Sequence, residues 1–175
     1  MDFFETIEKR HSYRGLYEDS AVPESDLVKI LDAGIRAPSG HNAQSTSFFV
    51  VTNNDLIKEI SELFKYNKKT IATASAIIVV ATRKITFNHI ISADYELEDY
   101  GAAVQNILLA VTALGYASVW LDGECRLDGA DKALAKLLDI SDELKVRTIL
   151  PIGIPQKIGK QTPRKPFDER VIWKK

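Results

Sequence analysis

Two arginines and a hydroxyl group lie close together near the start of the chain, in the run Arg10-His11-Ser12-Tyr13-Arg14. Guanidinium groups match the geometry of phosphate oxygens, and a serine hydroxyl adds a neutral hydrogen-bond donor. The run therefore has the chemistry of a phosphate-binding site. Taken alone, it fits a solvated helix C-terminus better, because basic side chains there complement the helix dipole.

A second polar run, at residues 37–44, contains the rigid residue Pro38 and the polar side chains of Ser39, Asn42 and Gln44. These side chains supply both donors and acceptors for a ligand. By itself, however, the run fits an Asx-type turn between a helix and a strand more simply.

A third run, at residues 162–166, contains Arg164 and Lys165 between two prolines. It belongs to a segment that begins at Pro155 and holds three prolines and seven basic residues. We therefore expect an extended, non-helical tail. A basic surface tail needs no ligand to explain it, so this run too is weak evidence in isolation.

A folded frame must position these three runs, and hydrophobic periodicity predicts its elements. Short apolar strands separated by long helical segments predict an α+β fold, with a mixed central β-sheet flanked by helices. We expect one domain over residues 1–175, with the extended tail from about residue 155. The predicted helices span residues 2–9, 23–33, 53 or 54 to about 64, 94–114, and 128 or 131 to 138; the predicted strands span 47–52, 76–82, 116–121 and 146–152.

The helix predicted at residues 94–114 is apolar nearly all round, which implies deep burial. So small a domain cannot easily cover such a helix on every side. A dimer interface is the simplest partner for it.

The overall composition argues against several classes of protein. A net charge of −1 gives no basic field for nucleic acid or an anionic membrane, and no apolar run is long enough for a transmembrane helix. The N-terminus does not resemble a signal peptide. The one cysteine, Cys125, excludes an intramolecular disulfide and suits a reducing compartment, so we expect a cytoplasmic protein.

Two other kinds of site are weaker hypotheses. The run from Gly153 to Lys160 superficially resembles a phosphate-binding P-loop, but five residues instead of four separate its glycines. Gln161 stands where that motif requires Ser or Thr, and Pro163 prevents the helix that should follow. The three histidines are scattered without carboxylates or cysteines at ligand spacing, so we expect no metal site.

Together, the order and spacing of the segments resemble the nitroreductase family of flavoproteins. The resemblance covers nearly the whole chain: RHSYR, APSGHNAQ, the Gly/Ala-rich helix GAAVQNILLAVTAL, LPIGIP and PRKP follow one another as in that family. It implies an α+β fold and an entwined homodimer that binds FMN at its interface, each FMN touching both subunits. It also implies NADH or NADPH as co-substrate.

The resemblance implies a set of FMN-binding residues by position. Arg10, Ser12 and Arg164 would hold the phosphate and ribityl chain, and His11 would contact the same region through its backbone or ring. Arg14 would lie near the N1–C2 edge of the flavin. The remaining matches are Asn67, whose amide would lie against the pyrimidine ring, Asp122 and Gly123, whose backbone would approach flavin N5, and Pro38, Ser39 and Asn42, which would come from the partner subunit.

In such a protein the flavin performs the chemistry, so we expect no dedicated catalytic side chain. A hydride would pass from NAD(P)H to flavin N5 and then to a small electron-poor acceptor, by a ping-pong mechanism. An FMN-binding sensor or carrier without turnover is the alternative function, and a structural dimer whose arginines are surface charge is a third. Whether His41 or Lys165 contributes to the site stays open.

The acceptor also stays open, because the chain departs from the family pattern in two places. Ser45-Thr46 follow Gln44 where relatives often have a Pro-Trp pair, which suggests a smaller or more polar wall. Residues 83–94 are a short remnant of the helical excursion that larger members place over the flavin. An open pocket is therefore expected, for a nitro compound, a quinone, a flavin or a halogenated phenol.

Overall fold

The computed structural model describes residues 1–85 and 95–175. Its helices and strands follow the predicted order, with some additional short helices. The elements are α1 (Phe3–Lys9), α2 (Glu24–Ile35), β1 (Thr46–Val51), α3 (Asn54–Glu62), α4 (Lys68–Ala72), β2 (Ala76–Arg83), α5 (Glu96–Ala113), β3 (Ala117–Ser118), α6 (Asp122–Cys125), α7 (Ala130–Leu137), β4 (Leu144–Gly153) and α8 (Phe167–Arg170).

The four strands form one sheet in the order β1-β2-β4-β3. Each of its three strand pairs is antiparallel, whereas the sequence predicted a mixed sheet. The reason is visible between β1 and β2, where α3 leads away from the sheet and the chain then returns to the same end. Val51, at the end of β1, consequently pairs with Ile77, at the start of β2. The α+β class itself is confirmed.

Two apolar clusters lie on the two faces of this sheet, as alternation along β2 requires. Ile77, Val79 and Ala81 belong to the cluster that also contains buried residues of α3, α4, α6 and α7. Ile78 and Val80 belong to the cluster that contains α2 and α5. The sheet is therefore the middle of three layers.

Helix α5 is covered on one side by the chain itself. Its side chains from Ala103 through Val111 bury one face against α2 and the sheet. The Asn106 side chain is satisfied within the chain, because its Nδ2 donates to the Ala33 carbonyl at 3.0 Å. Gln105, by contrast, is exposed. A second subunit is thus not needed to bury the inner face of this helix.

The elements that differ from the prediction are mostly short ones. Helices α4 and α6 have five and four residues, too few to show a helical period. Strand β3 covers only two of the six predicted positions, although Leu121 still donates its N–H to the Ile149 carbonyl. The tail, predicted to be non-helical, contains the single turn α8. Most of the unassigned segment 83–94 lies outside the described residues, and none of the described helices combines the length and apolarity needed to cross a membrane.

Candidate functional site

The end of α1 positions the first arginine-rich run. Arg10 is the C-cap of α1, and the chain then runs extended along the edge of the sheet, where the Tyr13 N–H donates to the Ser118 carbonyl at 2.9 Å. The buried Tyr13 ring anchors this segment, and its hydroxyl donates to the Leu16 carbonyl at 2.6 Å. Ser12 and Arg14, on either side of Tyr13, are exposed. The two polar side chains are therefore displayed by a fixed backbone.

The C-terminal tail is tied to the same place. The Gln161 side chain donates to the carbonyls of Ile7 (3.1 Å) and Arg10 (2.8 Å), which joins the tail to the end of α1. Arg164 follows within three residues. Partial burial, and then the positive charge of Arg164, lower the pKa of Arg10. The fold thus brings together two arginines from opposite ends of the chain.

Within the described residues, no carboxylate compensates the charge of these two arginines. Among the described residues, Arg10, Arg14 and Arg164 form no ion pair, although other arginines do. Like charges that are held together without a counter-ion favour an anionic ligand. The paired arginines elsewhere are Arg36, Arg83, Arg126 and Arg147.

The His11 ring turns under the tail. Its Nδ1 lies 2.9 Å from the Lys9 carbonyl, and its ring approaches Gly159 so closely that a Cβ there would lie 2.1 Å from His11 Nε2. Because a carbonyl only accepts, Nδ1 must carry the proton. The tail can therefore lie against this ring only because residue 159 is a glycine and has no side chain. Nε2, the other ring nitrogen, is buried and has no hydrogen-bond partner among the described residues, so a predicted contact of His11 with a ligand on the surface would have to use its backbone.

Arg14 is connected to Asn67 through helix α4. The Thr70 hydroxyl in α4 donates to the Arg14 carbonyl at 3.0 Å. Asn67 is the N-cap residue of that helix, and its Nδ2 donates to Glu124 Oε2 at 2.7 Å. The backbone N–H groups of Tyr66 and Asn67 both donate to the other oxygen of Glu124. One carboxylate thus holds Asn67 against α6.

Helix α6 contains the predicted Asp122-Gly123 pair. Both carboxylate oxygens of Asp122 accept from Arg126, at 2.9 and 2.8 Å, so the charge of this carboxylate is already balanced by an ion pair. Arg126 also lies 3.5 Å from the hydroxyl of Tyr100, a residue of α5 whose pKa is raised mainly by burial. A Cβ added to Gly123 would meet nothing within 4 Å. What this pair offers to a ligand is its backbone.

The loop at residues 37–44 is built from strained backbone. His41, Asn42 and Gln44 all have positive φ, at 52°, 54° and 49°. Such conformations cost roughly 1–3 kcal/mol each and persist only where the surroundings fix them. Here the Ser39 hydroxyl accepts from the Gln44 N–H at 3.0 Å. Three strained residues in one turn mark it as a candidate for function.

Asp99, which belongs to α5 and not to the loop, holds the loop in place. Its buried carboxylate accepts from the Gly40 N–H at 2.7 Å and from the Ser45 hydroxyl at 2.8 Å. Ser45 is buried as well, so it anchors the loop and does not form the pocket wall that the sequence suggested. The Tyr95 ring packs against Gly40, where a Cβ would lie 2.7 Å from its Cγ. These contacts hold Pro38, Ser39 and Asn42 in one arrangement.

The loop and the arginine run belong to opposite edges of the sheet. The loop leads into β1, and Tyr13 is bonded to β3; these are the two outermost strands of four. Three strand spacings separate them by about 14 Å. Helix α5 lies between, with Asp99 facing the loop and Tyr100 facing Trp120 and Arg126. One chain therefore brings Arg10 and Arg164 together, and Asn67 with Asp122 and Gly123, but it keeps Pro38, Ser39 and Asn42 apart from them.

Several residues that position the site were missed in the sequence. Gln161, Thr70, Asp99 and Glu124 each bond to a partner more than fifty positions away, so no local pattern signals them. Asp99 lies in the first turn of α5, where an acidic residue is ordinary. The two open residues are described but not assigned: the His41 ring lies 5.7 Å from the Tyr95 ring between centroids, and Lys165 is exposed.

Comparison with known proteins gives a consistent result. The sequence model described as the Nitroreductase family matches residues 7–67 and 63–154. A protein of Archaeoglobus fulgidus, provisionally named NADH dehydrogenase/NAD(P)H nitroreductase, is 35% identical over 150 residues, which are 86% of this chain and 83% of that protein. The residues matched by the family model include the arginine run, the strained loop and α6.

Solved structures agree with the sequence matches. A Desulfovibrio desulfuricans protein, provisionally named a nitroreductase and crystallised with FMN, is 30% identical with a TM-score of 0.80, and the alignment covers 98% of this chain and 96% of that one. An FMN-dependent nitroreductase from Clostridium difficile R20291 is 26% identical with a TM-score of 0.84, covering 99% of each chain. The fold described above is therefore the fold of those proteins.

Proposed function

This chain belongs to the nitroreductase family, and we propose that it is a homodimeric, FMN-dependent oxidoreductase that moves a hydride from NADH or NADPH to a small electron-poor acceptor. Nitroaromatics and quinones are the acceptor classes to test first. The single observation that carries the proposal is geometric: Gln161 donates to the Arg10 carbonyl at 2.8 Å and so ties the tail segment that contains Arg164 to the end of α1, where neither arginine forms an ion pair within the described residues. An oxidoreductase of this kind, with one buried cysteine, suits the cytoplasm.

The residues present fit an FMN phosphate. A phosphate monoester carries close to two negative charges at neutral pH, and two guanidinium groups that repel each other gain most from such a group. Ser12 is exposed beside them and adds a hydroxyl donor. The phosphate is therefore assigned to Arg10, Ser12 and Arg164.

The other residues fit the flavin ring. When bound, the isoalloxazine ring supplies the hydride-accepting atom, N5, so the chain needs no nucleophile. Arg14 is exposed and lacks an ion pair among the described residues, so its guanidinium group can lie near flavin N1. We assign Asn67 to the pyrimidine side of the ring and the backbone of Asp122 and Gly123 to an N–H contact with N5; the exposure of Gly123, where an added Cβ would meet nothing within 4 Å, supports this.

Two copies of the chain are needed in this proposal. Pro38, Ser39 and Asn42 lie at the opposite sheet edge from Arg10 within one chain, so a second copy must supply them to each site. Exposed apolar side chains are available for a dimer interface, in α1 and in the tail. They include Phe3, Phe4, Ile7, Phe167, Ile172 and Trp173.

An anaerobic titration separates the candidate functions. Purified protein with bound FMN is yellow, and NADH or NADPH without oxygen should bleach it; adding a nitroaromatic or a quinone should restore the colour. Bound FMN that neither nucleotide bleaches would favour the sensor or carrier alternative. Colourless protein that does not bind added FMN would end the proposal. Parallel lines in double-reciprocal steady-state plots would support one shared site for nucleotide and acceptor.

A further inference from the structure

Glu124 makes three hydrogen bonds that meet at Asn67 and its neighbour. Oε1 accepts the backbone N–H groups of Tyr66 and Asn67, and Oε2 accepts Asn67 Nδ2. An ionised carboxylate has no proton to donate, so only the N–H₂ end of the Asn67 amide can face it. The carboxylate therefore determines which way round the amide lies, a choice that a side-chain amide would otherwise leave open.

The opposite end of the amide is left for a ligand. Asn67 Oδ1 accepts no hydrogen bond within the described residues and is not among their buried, unsatisfied atoms. It is therefore an accessible acceptor whose direction is fixed by the bond on the other side of the amide. An acceptor of this kind selects an N–H group on the ligand over a carbonyl.

We propose that Glu124 is a positioning residue of the cofactor site: its carboxylate orients the Asn67 amide so that Oδ1 accepts the N3–H of the flavin pyrimidine ring. This inference rests on the proposed function, because it assigns a ligand group to the site. Glu124 directly follows Gly123, so the same residue also fixes the backbone assigned to flavin N5 relative to Asn67. One carboxylate thereby couples the two ends of the ring-binding surface.

A double-mutant cycle on FMN affinity tests the inference. In Glu124→Gln the new amide can donate to Asn67, which lets the Asn67 amide rotate and turn its N–H₂ toward N3–H. We expect FMN to bind about ten- to hundredfold more weakly, from one lost and one mismatched hydrogen bond. Asn67→Ala should weaken binding about tenfold, and the double variant should bind like Asn67→Ala within about twofold. Quenching of FMN fluorescence measures each affinity.

Two outcomes of this cycle would overturn the inference. The first is an unchanged affinity in Glu124→Gln. The second is a loss that persists in full in the Asn67→Ala background, because Glu124 would then act only through the backbone of α4. Glu59→Gln, which removes an exposed carboxylate in α3, is the matched control and should bind FMN as the wild type does. Wild-type protein that binds no FMN would overturn the proposed function itself, and this inference with it.

A measurement on the wild type covers the case in which Glu124→Gln does not fold. In ¹³C,¹⁵N-labelled protein reconstituted with ¹⁵N-labelled FMN, NMR should show a scalar coupling across the hydrogen bond, from flavin N3 to the side-chain carbonyl carbon of Asn67. A second coupling should join Asn67 Nδ2 to the carboxylate carbon of Glu124. If either coupling is absent under conditions that reveal the couplings across backbone hydrogen bonds, the assignment is overturned.

Discussion

Arg10 and Arg164 lie close enough that the charge of Arg164, after the effect of burial, lowers the pKa of Arg10. The two groups repel each other until an anion lies between them. Arg10→Ala should therefore weaken FMN binding about ten- to hundredfold, as expected for the loss of one charge-assisted contact. The same change should not reduce the thermal stability of the apoprotein by more than a small amount, since it removes a repulsion. FMN fluorescence and apoprotein melting curves measure the two effects.

Arg170→Gln is the matched control for that experiment. Arg170 lies in the same tail, is exposed and has no ion pair among the residues described, but it belongs to α8, beyond Pro166. Its replacement should leave FMN affinity unchanged. Equal affinity in Arg10→Ala and wild type would remove Arg10 from the site.

Arg14→Ala should act on the reduction potential more than on affinity. A fixed cation near flavin N1 stabilises the negative charge that the ring gains on reduction, so its loss should lower the midpoint potential. A contribution of about 1.5–3 kcal/mol corresponds to roughly 30–60 mV for two electrons. Redox titration with reference dyes measures the shift. A potential within error of the wild type, with FMN fully bound, would place Arg14 away from N1.

Hybrid dimers test whether each site is shared. Asp99→Ala should release the loop that contains Ser39 and Asn42, and Arg10→Ala should damage the phosphate side; each homodimer should bind FMN poorly. In a hybrid of the two, one site combines an intact Arg10 with an intact partner loop. Random mixing gives half hybrids, so about a quarter of all sites should recover high affinity. A mixture of Arg10→Ala with Ser12→Ala, two changes on the same side, should recover none.

A failure of the first mixture to recover would mean that the loop serves its own chain. Circular dichroism of each variant should be checked first, because Asp99→Ala leaves the buried Ser45 hydroxyl and the half-buried Gly40 N–H without their acceptor. That loss costs about 1–3 kcal/mol of folding free energy.

The Cys125 thiol should be inert in the folded protein. Burial, the largest cause, raises the pKa of this thiol from its ordinary value to about 12. At pH 8 this lowers the thiolate fraction about a thousandfold, so a disulfide reagent should label the thiol only after unfolding. Because the folded pKa is the higher one, stability is complete below about pH 9 and is lost as pH rises toward 12. The free energy of unfolding of Cys125→Ala should fall less steeply across that range; equal slopes would contradict the shift.

Periodicity predicted the larger elements because burial repeats along them. The run AIIVVAT became β2 with every position but Arg83 buried, and the helix predicted at 94–114 became α5. The sequence predicted a mixed sheet, and its antiparallel pairing was not predictable in the same way, because strand direction depends on where α3 and the following residues return the chain. Two-residue β3 and four-residue α6 are too short for any pattern to separate them from loops.

The candidate site shows the same difference between features that the sequence predicts and features that depend on contacts between distant residues. The resemblance to the nitroreductase family selected Arg10, Ser12 and Arg164 as a group, and in the structure Gln161 ties the tail that contains Arg164 to Arg10. The residues that fix their neighbours, such as Asp99 and Glu124, act through bonds across 54 to 59 positions, and their local surroundings are those of ordinary acidic residues in helices. Gln161 was considered only as a mismatch to a different motif, yet it ties the tail to α1.

The close approach of Tyr95 to Gly40 has a practical consequence for anyone who wishes to broaden the range of acceptors by randomising the loop. Every side chain at position 40 would collide with the Tyr95 ring. An inactive variant there would therefore reflect a distorted turn and would give no information about the reaction. Position 44 tolerates diversity better if the codons favour asparagine and glycine, which accept its left-handed backbone. Screening effort is best spent at Ser39, with position 40 left untouched and the same bias toward asparagine and glycine applied at position 42.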